Sequence, residues 1–201
     1  MKERMTLINK TERLGGLVVL VLIAARILIG PEMNVALRLS LTLLAVFYMW
    51  FGFFIFNRTG LTDLITRKRN LRLNPFRITS SIIMGLLYSF CMISLIFSFY
   101  FLRGMHVLIG LSTVLVVVAT LLMGTYQWIH KAEAAYIRQF YLRSALFAIL
   151  GFAFLATPLQ TRLEVLYGNH PDFVEAYMNY YQNPREEQAI ENLRETRSRF
   201  R

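Results

Sequence analysis

Cysteine and charge are both scarce in this chain. Cys91 is the single cysteine among the 201 residues, so a disulfide-stapled fold is excluded. Charged residues make up 17% of the chain, against about a quarter in soluble domains, while 56% of the residues are hydrophobic. A soluble globule of this size would have too little polar surface to cover such a core. The composition therefore indicates a membrane protein and excludes a disordered or collagen-like chain.

Motifs that carry catalysis, phosphate binding or metal binding are also lacking. The sequence has no zinc-binding helix motif, no glycine-rich phosphate loop and no nucleophile elbow. The three histidines, His106, His130 and His170, all lie away from the centres of the apolar stretches, and Cys91 has no partner for metal binding or nucleophilic catalysis. We therefore expect a non-enzymatic protein without a metal or other cofactor.

Five long apolar stretches occupy most of the chain. They are residues 14–30, 35–56, 78–102, 105–129 and 140–159. The two uncharged stretches, 78–102 and 105–129, would extend about 37 Å as helices, which exceeds the roughly 30 Å hydrocarbon core. Backbone groups in lipid must bond within their own segment, so these stretches predict helices. We predict an all-α transmembrane bundle over 1–159 with five spans, or four spans and an interfacial helix. The fifth stretch is the weakest, and Thr157-Pro158 predicts its end.

The basic residues are concentrated on one predicted side of the membrane. They cluster before the first stretch, between the second and third, and between the fourth and fifth. The positive-inside rule therefore predicts a cytoplasmic amino terminus and an external carboxyl terminus in a plasma membrane, most simply a bacterial inner membrane. The net charge of +10 follows from this topology and does not indicate nucleic-acid binding. No carboxylate lies within the stretches, which disfavours an ion-coupled transporter.

Three arginines are the only charged residues inside the apolar stretches. Arg26 and Arg38 lie near the predicted outer ends of the first two stretches, where both side chains could snorkel outward, with Glu32 as a possible partner. They are either interfacial anchors or a small outward-facing site for an anion. Arg143 should snorkel inward in the same way.

Two further groups of residues are candidate contact surfaces. Small residues recur every four positions on the third stretch and predict a helix-packing face matched by Thr120 and Gly124 on the fourth stretch. That face consists of Ser81, Gly85 and Ser89. The basic loop 57–77 predicts contacts with anionic lipid headgroups at the cytoplasmic face. Its candidate residues are Arg67, Lys68, Arg69, Arg72 and Arg77.

The segment 160–201 is predicted to be a helical tail outside the membrane. One short amphipathic helix should begin at Pro171, and a second should follow Asn183 as its cap. Helices this short cannot bury much alone, so they should dock on the membrane domain, on each other or on a membrane-protein partner.

The sequence favours a non-enzymatic structural, accessory or complex-forming membrane component. The alternatives are a transporter or channel for a small solute and, as a third hypothesis, an enzyme that acts on lipid headgroups through Glu32 or Asp63. A transporter would need a polar path through the bundle. Only the hydroxyl side chains of the apolar stretches could line such a path.

Overall fold

Helices account for nearly all of the described chain. The computed structural model describes residues 7–57, 75–131 and 134–198, and these residues contain eight α-helices, one short 3₁₀ turn at Pro31–Met33 and no strand. The helices are α1 (Leu7–Leu28), α2 (Asn34–Asn57), α3 (Pro75–Phe99), α4 (Met105–Ile129), α5 (Ala134–Ala156), α6 (Leu159–Tyr167), α7 (Pro171–Gln182) and α8 (Glu187–Ser198). The predicted all-α fold is confirmed.

Four of the described helical segments are long and apolar enough to cross a membrane. They are Pro31–Asn57, Pro75–Phe99, Met105–Ile129 and Tyr136–Ala156. Large apolar side chains point outward from them, including Leu43, Val107 and Leu142, which are 70%, 71% and 81% exposed. Such surfaces suit lipid and not water. The chain is a helical membrane bundle, and its fifth predicted stretch lies in one of the four spanning helices.

The first helix differs from its prediction. α1 begins at Leu7 and not near residue 14, so it also contains Lys10, Glu12 and Arg13. The helix therefore extends beyond the predicted apolar stretch at its amino-terminal end, through the charged turn that precedes that stretch. α1 is not among the four segments selected by length and low charge.

The described chain divides into two compact units. The first contains the described parts of Met1–Val19 and Leu39–Leu155, and therefore most of the long helices. The second contains Leu20–Arg38 and the described part of Ala156–Arg201, and therefore the turn between α1 and α2 together with α6, α7 and α8.

Helices α2 and α3 approach each other closely through two glycines. A Cβ atom on Gly52 would lie 2.7 Å from the Cα of Gly85, and a Cβ on Gly85 would lie 2.8 Å from the carbonyl oxygen of Tyr48. Ser81 and Ser89 are buried on the same helix as Gly85. The backbones can meet only because neither glycine has a side chain.

The partner of the small-residue face is therefore α2. The sequence analysis proposed Thr120 and Gly124 of α4 instead. The Thr120 hydroxyl donates to the carbonyl oxygen of Val116 in its own helix, and Gly124 faces the Tyr141 hydroxyl. Gly52 was not considered because it is the one small residue in the aromatic end of α2.

The connection between α3 and α4 is a tight hairpin. α3 ends at Phe99 and α4 begins at Met105. Gly104, which precedes α4, has a φ of 85°, in the left-handed region that glycine adopts without strain. The Ser94 hydroxyl contacts the carbonyl oxygen of Leu108 at 3.2 Å, which links the two helices close to the turn.

Replacing Gly85 with alanine should destabilise the bundle. Its Cβ would collide with the α2 backbone, so Gly85→Ala should lower the free energy of unfolding by about 1–3 kcal/mol. The matched control is Gly110→Ala on α4, whose Cβ would meet only Leu155, at 4.0 Å. Thermal unfolding in a neutral detergent measures both variants. Equal unfolding temperatures for the two would contradict the close α2–α3 contact.

Candidate functional site

A buried ion pair joins α1 to α5 inside the first unit. Arg143 Nε donates to Oε1 of Glu12 and Arg143 Nη2 donates to Oε2, each at 2.7 Å. The Tyr48 hydroxyl of α2 donates to Oε1 of the same carboxylate at 2.7 Å. Arg143 Nη1 donates to the carbonyl oxygen of Gln139 at 2.6 Å. We call Glu12, Tyr48 and Arg143 the polar cluster.

The polar cluster lies deep in the bundle. The Glu12 side chain is 6% exposed and that of Arg143 is 20% exposed. Arg143 lies nine residues after Ala134, which places it about 14 Å along α5 at 1.5 Å per residue. A two-point contact between guanidinium and carboxylate neutralises both charges at this depth. Arg143 therefore bonds to Glu12 within the protein, and its inward snorkelling stays a prediction.

Sequence reasoning missed Glu12 as a buried residue. It was assigned to the basic amino-terminal segment because it precedes the apolar run. The buried face of α1 carries a signal that could have found it, because buried residues recur there every three or four positions, as on one face of a helix. That face includes Ile8, Glu12, Val19, Ile23 and Arg26.

A second set of hydrogen bonds ties α5 to α3 and α2. The Tyr88 hydroxyl of α3 shares a 2.8 Å hydrogen bond with Ser144 and donates to the carbonyl oxygen of Phe140 at 3.1 Å. Gln139 Nε2 donates to the carbonyl oxygen of Phe56 at 2.6 Å. Polar groups of the interior are thus bonded between helices.

The basic loop residues can be followed only in part. Arg67, Lys68, Arg69 and Arg72 lie outside the described residues, as does Asp63. Arg77 is half-buried in the first turn of α3, and its guanidinium lies 5.2 Å from the centre of the Tyr136 ring. Its contact with lipid headgroups stays a prediction.

Arg26 is fully buried in the second unit. Its Nε donates to Oδ1 of Asn34 at 2.8 Å, and its Nη1 donates to the carbonyl oxygen of Leu166 at 2.6 Å. The Tyr167 ring covers the guanidinium, with 4.5 Å between its centre and Cζ. Nη2 is buried and has no hydrogen-bond partner among the described residues.

Arg26 and Arg38 differ in burial, and the outward-facing anion site predicted for the two residues stays a prediction. Arg26 has no exposed surface, whereas Arg38 is exposed on α2. Glu32 is exposed in the turn, and the hydrogen bonds of Arg26 go to Asn34 and Leu166 instead.

The carboxyl-terminal helices form the remainder of the second unit. α7 begins at Pro171 as predicted, but α8 begins at Glu187, and Asn183 caps the end of α7. α6 was not predicted, because Pro158 was interpreted only as the end of α5, although it also serves as the N-cap of α6. Burial raises the pKa of Tyr177 on α7 to about 12, which indicates a packed helix face.

The described residues contain no candidate metal site, and the chain matches none of the known proteins compared with it. Within residues 7–57, 75–131 and 134–198, no group of three histidine, cysteine, aspartate or glutamate side chains is placed to hold a metal ion. Comparison with protein-family models, with curated proteins and with solved structures finds no match for the chain.

Removing one residue of the buried ion pair should lower the stability of the protein far more than removing both. Glu12→Leu leaves the Arg143 charge buried without its partner, so unfolding free energy should fall by about 3–5 kcal/mol. The double variant E12L/R143M should recover most of that loss, although the Tyr48 hydroxyl then lacks its acceptor. Thermal and denaturant unfolding in detergent measure the effect.

An exposed ion pair supplies the control for this experiment. Glu191 and Arg194 on α8 lie 3.8 Å apart with side chains 59% and 77% exposed. Glu191→Leu should therefore change stability by less than about 1 kcal/mol. A double variant E12L/R143M less stable than Glu12→Leu alone would contradict the proposed coupling.

Proposed function

We propose that the chain is a non-enzymatic, multi-pass structural or accessory component of a plasma membrane, most simply a bacterial inner membrane. The observation that supports this is the use of interior polar groups for bonds between helices. The polar cluster joins α1, α2 and α5, while Tyr88 and Ser144 join α3 to α5. On α4, Gln127 accepts a 2.7 Å hydrogen bond from Tyr141 of α5. A bundle fastened in this way suits a rigid scaffold.

The same bonds argue against a path for a solute. Parting the helices would separate Glu12 from Arg143, and breaking a buried pair costs about 3–5 kcal/mol. The hydroxyls expected to line a path are already engaged, since Thr113 donates to Ile109 and Thr120 donates to Val116 within α4.

We propose five spans, with α1 as the first. Glu12 contacts Tyr48, and a Cβ on Gly15 would meet Leu44 at 3.4 Å, so α1 and α2 pair in antiparallel order. A helix of 22 residues is about 33 Å long, enough to cross the hydrocarbon core. Arg143 neutralises the charge of Glu12 within the bundle. The Glu12 carboxylate therefore does not keep α1 out of lipid.

Five spans place the amino terminus in the cytoplasm and the tail outside, if the basic ends face inward. Anionic lipids would then meet the basic loop 57–77, and a membrane-protein partner would meet the tail. The exposed apolar side chains of Tyr181 and Ile190 on α7 and α8 support a docking role for the tail.

Single-cysteine labelling tests this orientation. In a Cys91→Ala background, we expect a membrane-impermeant maleimide to label Glu191→Cys on α8 in intact cells. Lys131→Cys, at the exposed end of α4, should react only after the cells are lysed. The reverse pattern, or protection of both positions, would contradict five spans with an external tail.

A second labelling series tests the scaffold role against transport. In the same background, Ser94→Cys, Thr113→Cys and Thr120→Cys should stay unreactive towards a water-soluble maleimide in native membranes. The control, Arg103→Cys, lies in the exposed turn before α4 and should react readily. Reaction along the series would instead support a water-filled path and contradict the scaffold.

The size of the purified particle tests the complex-forming part of the proposal. We expect extraction in a mild detergent, after chemical cross-linking in the membrane, to yield a particle larger than one chain. Removing the tail after Asn169 should reduce it to one chain. A particle that holds a single copy before and after truncation would contradict assembly through the tail.

One observation favours the second candidate, a transporter or channel for a small solute. Ionisable residues inside a bundle often mark solute or proton pathways, and Glu12 is a buried carboxylate that the sequence analysis did not place there. The labelling series on α3 and α4 separates the two candidates, because a transporter must admit water next to the residues that line its path.

A further inference from the structure

Two buried arginines of this protein differ in how their charges are compensated. Arg143 has a carboxylate on two of its nitrogens. Arg26 is completely buried, yet its hydrogen bonds go to neutral oxygens of Asn34 and Leu166. No described carboxylate lies within ion-pairing distance of the Arg26 guanidinium. Arg26 therefore carries a buried positive charge without a counter-charge from the described chain.

We propose that Arg26 is the core of a binding site for a phosphate-type oxyanion in the second unit. Its free donor is Nη2, which is buried and has no hydrogen-bond partner among the described residues. A guanidinium left unpaired in a low-dielectric setting costs several kcal/mol, and an anion oxygen at Nη2 would supply both the missing acceptor and the missing charge. This inference does not rest on the scaffold role proposed above.

The chemical class of the ligand follows from the surroundings of Arg26. Arg162 is a second buried guanidinium on α6, and it precedes Leu166, the acceptor of Arg26, by one helical turn. The guanidinium of Arg26 favours phosphate because its planar fork of N–H donors matches the oxygens of a phosphate group. The nearest carboxylates in sequence, Glu32 and Glu164, are exposed, and Glu164 accepts a hydrogen bond from Gln160.

The position of Arg26 fits phosphate from either of two sources. Arg26 lies two residues before the end of α1 at Leu28, close to the turn where the chain leaves the predicted span. Phospholipid phosphates lie at that level, and free phosphate reaches it from water. The Tyr167 ring covers one face of the guanidinium.

Ligand-dependent thermal unfolding tests the site in the full chain. The protein is purified in a neutral detergent and washed until its phosphorus content shows that phospholipid is gone. We expect sodium phosphate or dioleoylphosphatidylglycerol, at about ten times its dissociation constant, to raise the wild-type unfolding temperature by about 3 °C or more. Sodium chloride at equal ionic strength and dioleoylglycerol, which lacks the phosphate, should have no such effect.

Two variants remove the site in different ways. Arg26→Met removes the donor, and it should abolish the shift. Asn34→Asp places a carboxylate where Nε of Arg26 now meets an amide oxygen, 2.8 Å away. This near-isosteric change should raise the unfolding temperature without ligand and also abolish the shift, so it remains informative if Arg26→Met does not fold. The control, Arg103→Met, removes an exposed cation and should keep the wild-type shift.

The two added ligands distinguish a phospholipid headgroup from free phosphate as the source of the anion. A shift with phosphatidylglycerol alone supports a lipid headgroup site, and a shift with sodium phosphate as well supports a site open to free phosphate. The proposal is overturned if neither ligand shifts the wild type, which would leave only a water molecule to satisfy Nη2. It is also overturned if Asn34→Asp keeps the full shift.

Discussion

The ion pair between Glu12 and Arg143 is the interaction on which the architecture depends. Either charge alone would be costly in the protein interior, whereas the two together form a neutral, doubly hydrogen-bonded unit. The pair brings the charged first turns of α1 into the bundle, and Tyr48 fastens α2 to the same carboxylate. Without it, α1 would have to keep its amino-terminal turns in water.

The buried face of α1 carries two charged residues of opposite sign, Glu12 and Arg26, whose surroundings differ. Glu12 is satisfied within the protein, whereas Arg26 on the same helix is surrounded by neutral acceptors and an aromatic ring. One helix thus contributes a structural link to the first unit and a candidate anion site to the second. The two buried charges of α1 therefore have different roles, because Glu12 forms an ion pair within the described chain and Arg26 bonds only to neutral groups.

The sequence was most informative where a single property decides the structure. The uncharged lengths of α3 and α4 predict helices across lipid, and Pro158 predicts the end of α5. It was least informative about Glu12 and Gly52, because hydropathy treats each residue alone. A carboxylate becomes compatible with lipid only through a partner 131 positions away, and a glycine matters only where another backbone approaches it.

The central claim is that Glu12 and Arg143 are in direct contact inside the helical bundle. Solid-state NMR of the protein in lipid bilayers, with ¹³C in glutamate carboxyl groups and ¹⁵N in arginine side chains, measures this contact through its dipolar coupling. The 2.7 Å separation of nitrogen and oxygen keeps the labelled carbon and nitrogen close enough for a measurable coupling, which should be lost in Arg143→Met. A coupling that is absent from the wild type, or unchanged in that variant, would contradict the account.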